Sequence, residues 1–212
     1  MCTYAVEHNL HLIGVAETWL NDSIDNSEIN IEGYTIYRRD RSDIKLGRGG
    51  GVLLYVQNSI NSCCFTEPGV FKSESVWCKL LLDHDQEICV GVCYKSPSAE
   101  DTEVQQLFSA IKCVSNKQSL IMGDFNYPNI DWDTLDSDSN GSAFLDLIQD
   151  CFLIQHVSEP TRGGNILDLV FTSEDNMVEN LKAREHFSSS DHNIVAWNHN
   201  CRTVINKDDR VR

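Results

Sequence analysis

The feature that most constrains this chain is a succession of short apolar bursts broken by turn residues. They fall at His11–Ala16, Tyr34–Arg39, Gly51–Val56, Val76–Leu82, Glu87–Tyr94, Ser119–Gly123, Leu153–Val157, Ile166–Thr172 and Asn193–Trp197. Val76, Cys78, Leu80 and Leu82 alternate along one face, as in a half-buried strand. Leu12–Ala16 and Leu120–Met122 are continuously apolar, the pattern of a strand covered on both faces. Only two segments read as clear helices. One is capped at Ser98, with Asp101 three residues on and Val104, Leu107, Phe108 and Ile111 on one face. The other runs from about Ser142 to Cys151, with Phe144, Leu145 and Ile148 inward. Many strands with few intervening helices predict an α/β layered sandwich, not a strictly alternating βαβ fold.

A length of 212 residues suits one domain with a sizeable core. No apolar run approaches the roughly 20 residues of a membrane helix, and the polar residues among the first twelve exclude a signal peptide. Lys and Arg total 17 against 32 Asp and Glu, a net charge of −15. Such a chain does not coat nucleic acid by bulk electrostatics. An enzyme that meets a few phosphates through a local basic patch and a metal ion stays allowed. The nine cysteines are odd in number and form no CxxC pair. They read as small buried hydrophobes in a reducing, intracellular compartment, nuclear or cytoplasmic.

The chain opens on what looks like the end of a helix (Tyr4, Ala5, Val6, Leu10) running straight into a strand. Residues 199–212 read as a polar tail or the start of a linker, after a domain spanning 1–198. The sequence reads as a piece of something longer.

Five places carry possible chemistry. Glu17 directly follows a buried strand, where ligand sites of layered α/β folds gather, and can serve Mg²⁺. Tyr94 ends a strand, and its hydroxyl can reach a phosphate. Gly123-Asp124-Phe125-Asn126 follows another apolar strand: Asp124 can orient or deprotonate a water, and Asn126 can donate to a charged oxygen. Asp168 lies within an apolar strand, where a carboxylate needs a partner. Ser190-Asp191-His192 precedes the last strand and offers a general acid or base. Each also has a plain structural reading, as a turn residue, a satisfied tyrosine or an edge-strand carboxylate.

Taken together and in this order, these residues resemble the endonuclease/exonuclease/phosphatase family. ETWL, YRRDR followed by GRGGGVLLYV, GDFNYPNIDW, EPTR and ILDLVFTSE narrow the resemblance to the endonuclease domain of non-LTR retrotransposons of the jockey or chicken-repeat kind. The resemblance implies a four-layered α/β sandwich with two mixed sheets, deoxyribonuclease-like. It implies Glu17 and Asp191 on the metal side, with magnesium as cofactor and manganese as a substitute. Asp124, Asn126, Asp168, His192 and Tyr94 would be catalytic, Asp168 supporting His192. The implied reaction is DNA nicking that leaves a 3′ hydroxyl and a 5′ phosphate and so primes reverse transcription. Implied partners are DNA and a reverse transcriptase domain. A phosphatase or phosphodiesterase acting on a small or lipid substrate, and a catalytically impaired remnant, are the alternatives. The family opens with a strand bearing an Asn that helps hold the metal, and that strand is missing here. Whether the chain as it stands is active therefore stays open.

Arg38, Arg39, Arg41, Lys45 and Arg48 outweigh Asp40 and Asp43 in one loop of an acidic chain. Such a loop can clamp duplex phosphates. The stretch 131–150 holds six Asp and no Lys or Arg, and is expected to face away from DNA.

Overall fold

The structure is a computed structural model that describes residues 2–41, 49–67, 69–82 and 86–199. Eleven strands, three α-helices and one short 3₁₀ helix (Asp175–Met177) are described. The largest sheet has six strands: β4 (Ser62–Cys64), β5 (Ser75–Leu81), β6 (Glu87–Tyr94), β7 (Ser119–Asp124), β9 (Asp168–Thr172) and β8 (Ile154–Gln155), in that spatial order. It is mixed: β6 and β7 pair in parallel, the other neighbours antiparallel. A parallel pair needs a long crossover, and α2 (Asp101–Ser115) supplies it.

Facing this sheet lies a second layer in two antiparallel pieces. One is β1 (Leu12–Ala16), β3 (Val52–Gln57) and β2 (Tyr34–Arg39), with β3 central. The other is the hairpin of β10 (Val178–His186) and β11 (Asn193–His199). The expected second mixed sheet is thus two all-antiparallel fragments that share no ladder.

Three apolar clusters define the layers. Val52, Leu54 and Val56 of β3 meet Val90, Val92, Leu120 and Met122 of the six-stranded sheet. Leu53 and Tyr55 point the other way, onto Ala5 of α1 (Cys2–Glu7). The opposite face of the large sheet packs on α2 and α3 (Ser139–Asp150). The order helix, sheet, sheet, helices is the four-layered α/β sandwich.

Both long helices start elsewhere than the sequence pattern suggested. Ser98 does not cap α2. The cap is Glu100, whose N–H donates to the Glu103 carboxylate at 2.9 Å, while Ser98 belongs to a turn with Ser96. A carboxylate three residues into a helix is the reciprocal half of a capping box. The second helix begins at Ser139, three residues before the expected Ser142, because Asp138 accepts the Gly141 N–H at 2.9 Å.

Two strands escaped the sequence reading. β10 is mostly exposed and rich in Glu, Lys and Arg, so its two-residue period is blurred. β4 is three residues long, and its Cys63 and Cys64 are exposed, unlike the buried Cys78, Cys89, Cys93 and Cys151. The strand expected at Leu153–Val157 shrinks to the two residues of β8. Among the described residues no helix is long and apolar enough to cross a membrane. The last strand continues through His199, and the tail beyond it lies outside the described residues.

An aromatic cluster sets the rim of the large sheet. Phe144 of α3 lies 4.5 Å from the Tyr127 ring, 5.3 Å from Phe125 and 5.9 Å from Phe171, centroid to centroid. Phe125 is fully buried, so the GDFN turn is anchored from behind by one side chain. Phe144→Ala would cost about 3–5 kcal/mol and loosen that anchor.

Candidate active site

Three neighbouring strands end at one rim, and their terminal residues line up. Tyr94 pairs with Asp124 across the parallel β6–β7 ladder, and Asp124 pairs with Asp168 across the antiparallel β7–β9 ladder. Pair partners in register have side chains on the same face, so a hydroxyl and two carboxylates stand in a row. The row is possible because Gly123 precedes Asp124. Gly123 has φ +145°, and a β-carbon there would sit 1.8 Å from the Cys93 carbonyl oxygen. Only glycine allows that approach.

The turn after β7 is held by its own side chains. Asn126, at φ +49°, donates its backbone N–H to Asp124 Oδ1 at 3.1 Å and its Nδ2 to Asp124 Oδ2 at 2.8 Å. Asn126 Nδ2 also reaches the Lys95 carbonyl at 3.0 Å. Asp124 is buried, 2% exposed. Burial and the nearby Asp168 push its carboxyl up to about 7, against the pull of His192 and the Asn126 hydrogen bonds.

Glu17 joins the row from the second layer. Its Oε1 accepts the Tyr94 hydroxyl at 2.5 Å, and its Oε2 accepts Trp19 Nε1 at 3.2 Å. Glu17 (φ +52°) and Trp19 (φ +56°) both hold left-handed backbone, a strain that collects at functional sites. The Trp19 N–H donates to the Gly50 carbonyl at 2.9 Å. Burial, then the contact with Glu17, raises the Tyr94 phenol well above its ordinary range. It therefore stays a hydroxyl donor.

His192 closes the other end. Its Nδ1 lies 2.8 Å from Asp168 Oδ2, and both side chains are about one-fifth exposed. The Asp168 hydrogen bond raises the imidazole pKa, outweighing the cost of burial. The structure thus brings together Glu17, Tyr94, Asp124, Asn126, Asp168 and His192, six residues scattered along the sequence.

The remaining expected residues separate from this row. Asp191 neighbours His192 but turns outward onto Arg162, Oδ2 to Nη2 at 2.7 Å, and that pairing lowers its carboxyl pKa. Arg38 is committed to the fold: it pairs with Asp40 and donates to the Ile24 and Asn21 carbonyls and to Asn26. Arg41 pairs with buried Glu74 at 2.7 Å and stands 5.6 Å from the Tyr94 ring centroid. Arg39 ends β2, its Nε buried without a hydrogen-bond partner among the described residues. Lys45 and Arg48 lie outside the described residues. In the acidic stretch 131–150, Asp131 and Asp138 serve as acceptors for local turns and the α3 cap.

Several contributors were missed from the sequence. Glu74 bonds both Arg41 and the Gly51 N–H, the latter at 2.9 Å. A β-carbon on Gly50 would lie 2.3 Å from Arg41 and Glu74 atoms, which explains the glycine run. The EPTR stretch is a clamp. Glu159 accepts the Ala183 N–H, Pro160 accepts Asn193 Nδ2, the Thr161 carbonyl accepts the Asn193 N–H, and Arg162 holds Asp191. EPTR enters the sequence reading only as part of the family resemblance, because these residues carry no catalytic chemistry. Their role shows only in three dimensions, where their mostly exposed hydrogen bonds reach partners distant in the sequence.

Among the described residues no three acidic, imidazole or thiol side chains gather closely enough to hold a metal ion by themselves. The donor set does fit a hard divalent cation of the kind bound by one or two carboxylates, water and substrate phosphate. Glu17 supplies an exposed carboxylate at the rim, and Asp124 and Asp168 border the same cleft.

Residues 88–196, just over half of the chain, match the family model described as endonuclease-reverse transcriptase. No curated protein matches the chain. Several solved structures share its fold. The endonuclease domain of TRAS1, a telomere-specific non-LTR retrotransposon, superposes with a TM-score of 0.71 at 17% identity, covering 93% of this chain and 90% of that one. The APE2 catalytic domain of Xenopus laevis gives 0.64 at 13% identity, covering 97% and 88%. An AP endonuclease from Archaeoglobus fulgidus gives 0.62 at 11% identity, covering 94% and 93%.

Proposed function

This chain belongs to the endonuclease–reverse transcriptase family, and we propose that it is a magnesium-dependent hydrolase that nicks DNA, leaving a 3′ hydroxyl and a 5′ phosphate. The observation that carries this reading is the row from Glu17 through Tyr94, Asp124 and Asp168 to His192 at one rim, hydrogen-bonded at its two ends and in ladder register between them.

A phosphodiester is anionic and repels its nucleophile, so hydrolysis needs charge neutralisation and a positioned water. Glu17 would hold the magnesium ion, with manganese as a substitute, and the ion would neutralise charge on the phosphate. Asp124, with its carboxyl near neutrality, is matched to orient the water and take its proton. Asn126 fixes the Asp124 carboxylate and keeps it from rotating. His192, held cationic by Asp168, donates to a phosphate oxygen as charge builds there. Tyr94 keeps its proton and anchors Glu17. Asp191 acts by fixing the His192 loop through Arg162.

DNA would lie across this rim, flanked by exposed Trp19 and the basic 38–48 segment. Within that segment Arg38 and Arg41 are engaged by Asp40 and Glu74, and the phosphate contacts fall to Arg39, Lys45 and Arg48. The 3′ hydroxyl would prime a linked reverse transcriptase domain, as in target-primed retrotransposition.

The test is nicking of supercoiled plasmid with Mg²⁺. Asp124→Asn, His192→Ala and Glu17→Gln should each lower the rate by about 10²–10⁴-fold without loss of folding. Turnover of a small phosphomonoester or a lipid phosphate with the plasmid left intact would replace this reading by a phosphatase.

A further inference from the structure

Lys95 directly follows Tyr94 at the end of β6, and its backbone is tied twice to the neighbouring GDFN turn. Its N–H donates to the Asp124 carbonyl at 2.9 Å, and its carbonyl accepts Asn126 Nδ2 at 3.0 Å. Successive residues of a strand point to opposite faces. Tyr94 faces Glu17, so the Lys95 side chain leaves on the other side of the turn, where Tyr127 packs with α2 and α3. Two contacts hold its ammonium there. Nζ stands 4.3 Å from the Tyr127 ring centroid and donates to the Asn126 carbonyl at 3.3 Å.

Arg41 and Arg162 also border the catalytic row, and each is taken by a carboxylate, Glu74 and Asp191. Lys95 makes no ion pair among the described residues, although the chain carries a net charge of −15. Burial works against its charged form, and the nearby charges of Asp124 and Asp138 work for it. An ammonium carries three N–H donors, and one long hydrogen bond to a carbonyl leaves the others open. A half-buried cation is costly unless something anionic meets it. Lys95 also lines a shallow cleft with Ser73, Ser96 and Gln106. The two carboxylates of that cleft are engaged, Glu74 by Arg41 and Glu103 by the α2 cap. To an incoming group the cleft offers hydroxyls, an amide and the ammonium.

We infer that Lys95 binds a second phosphate of the substrate, the neighbour of the one that lies between Asp124 and His192, with Ser96 beside it. The site then takes a polynucleotide. A substrate with a single phosphate group, such as a mononucleotide or a lipid phosphate, leaves Lys95 unmet. The inference rests on the nuclease reading of the row and deepens it. Lys95 acts by holding the chain to be cut in register with Asp124, and it takes no part in moving a proton.

The experiment measures binding of a fluorescent DNA duplex of about 20 base pairs without divalent cation, by anisotropy between about 50 and 200 mM salt. Each phosphate contact adds about 0.9 to the slope of log affinity against log salt. Lys95→Gln should lower that slope by about 0.9, so its affinity deficit shrinks about threefold across this range. Lys95→Arg should keep the parent slope. Lys112→Gln, on the exposed face of α2, should leave it unchanged. Lys95→Met keeps the stem on the Tyr127 ring and is read in place of Lys95→Gln if that variant unfolds. A slope equal to the parent's in the uncharged variants would overturn the contact and leave Lys95 as a brace of the GDFN turn. So would an equal loss with Lys112→Gln, which would make the effect one of bulk charge, or a parent that does not bind the duplex. Plasmid nicking with Mg²⁺ reads the nuclease activity separately. A parent that nicks, with Lys95→Gln unchanged in slope, loses only the phosphate contact. A parent that shows the expected slopes and does not nick loses the nuclease reading and keeps Lys95 as a DNA contact.

Discussion

Asp124 and Asp168 stand opposite one another in register across the β7–β9 ladder, two carboxylates on one face. Each meets the charge problem differently. Asp168 has His192 within 2.8 Å. Asp124 accepts the Asn126 amide and N–H, and its carboxyl pKa is pushed up to about 7.

Asp168→Asn should therefore move two other groups. His192 loses the hydrogen bond that raises its pKa, so its imidazole titrates lower. Asp124 loses the neighbouring negative charge, so its carboxyl titrates lower too. NMR titration of the metal-free protein reads both shifts, alongside a nicking rate down by about 10²-fold or more. An unchanged His192 titration would mean that the pair does not form in solution.

In the absence of divalent cations each shifted group has its own sign in the pH dependence of stability. Asp124 is raised above its ordinary 3.8, so between about pH 4 and 7 the folded state binds the extra proton and loses stability as pH rises. His192 is raised above 6.5, so its stabilisation is complete below that value and fades as pH climbs through the folded pKa. Asp25, Asp131 and Asp138 are lowered by hydrogen bonds, and their contribution fades below about pH 4. Burial lowers His156 and His199, whose contribution rises with pH up to about 6.5, so the measurement is the difference between the parent and Asp124→Asn. In thermal denaturation the parent should lose stability relative to Asp124→Asn between about pH 4 and 7. A parent that gains on the variant over that range would contradict the burial of Asp124.

The Arg41–Glu74 pair is more than nine-tenths buried at Glu74 and nearly so at Arg41. Removing the carboxylate from such a pair strands a desolvated guanidinium, at about 3–5 kcal/mol. Glu74→Ala should cost that much in urea unfolding and also free the Gly51 N–H. Replacing both residues together by apolar ones of similar size should cost less than Glu74→Ala alone. If the single substitution is neutral, the pair is solvated and does not brace the rim beneath Tyr94.

Much of this site is legible in the sequence because chemistry and strand ends coincide. Glu17, Tyr94 and Asp124 each follow an apolar run, and the Asp168–His192 contact follows from a carboxylate that needed a partner. What stayed illegible is the scaffolding around them. Arg38 and Arg41 carry the charge of DNA-binding residues, yet Arg38 is committed inside the fold and Arg41 to Glu74, because composition records charge and not its partner. β10 is hidden for a related reason. Its Glu, Lys and Arg face solvent, and its strand form comes from pairing with β11, interrupted by two register shifts.

Thr161 shows how the EPTR stretch acts. Its buried hydroxyl accepts the Leu167 and Asp168 N–H groups, each at 3.0 Å, and its carbonyl accepts the Asn193 N–H at 2.7 Å. One residue thus fixes the backbone beside Asp168 and beside His192, and sets the spacing of the pair. Thr161→Val keeps the shape but orphans the buried Leu167 donor, at about 1–3 kcal/mol, and the part-buried Asp168 donor. Thr161→Ser keeps the oxygen. The valine variant should unfold at lower denaturant and show a weakened His192 pKa elevation, with nicking reduced more than the stability loss alone explains. The serine variant should stay near the parent on all three measures. Valine and serine variants of equal stability and equal His192 titration would show that the hydroxyl does not position the pair.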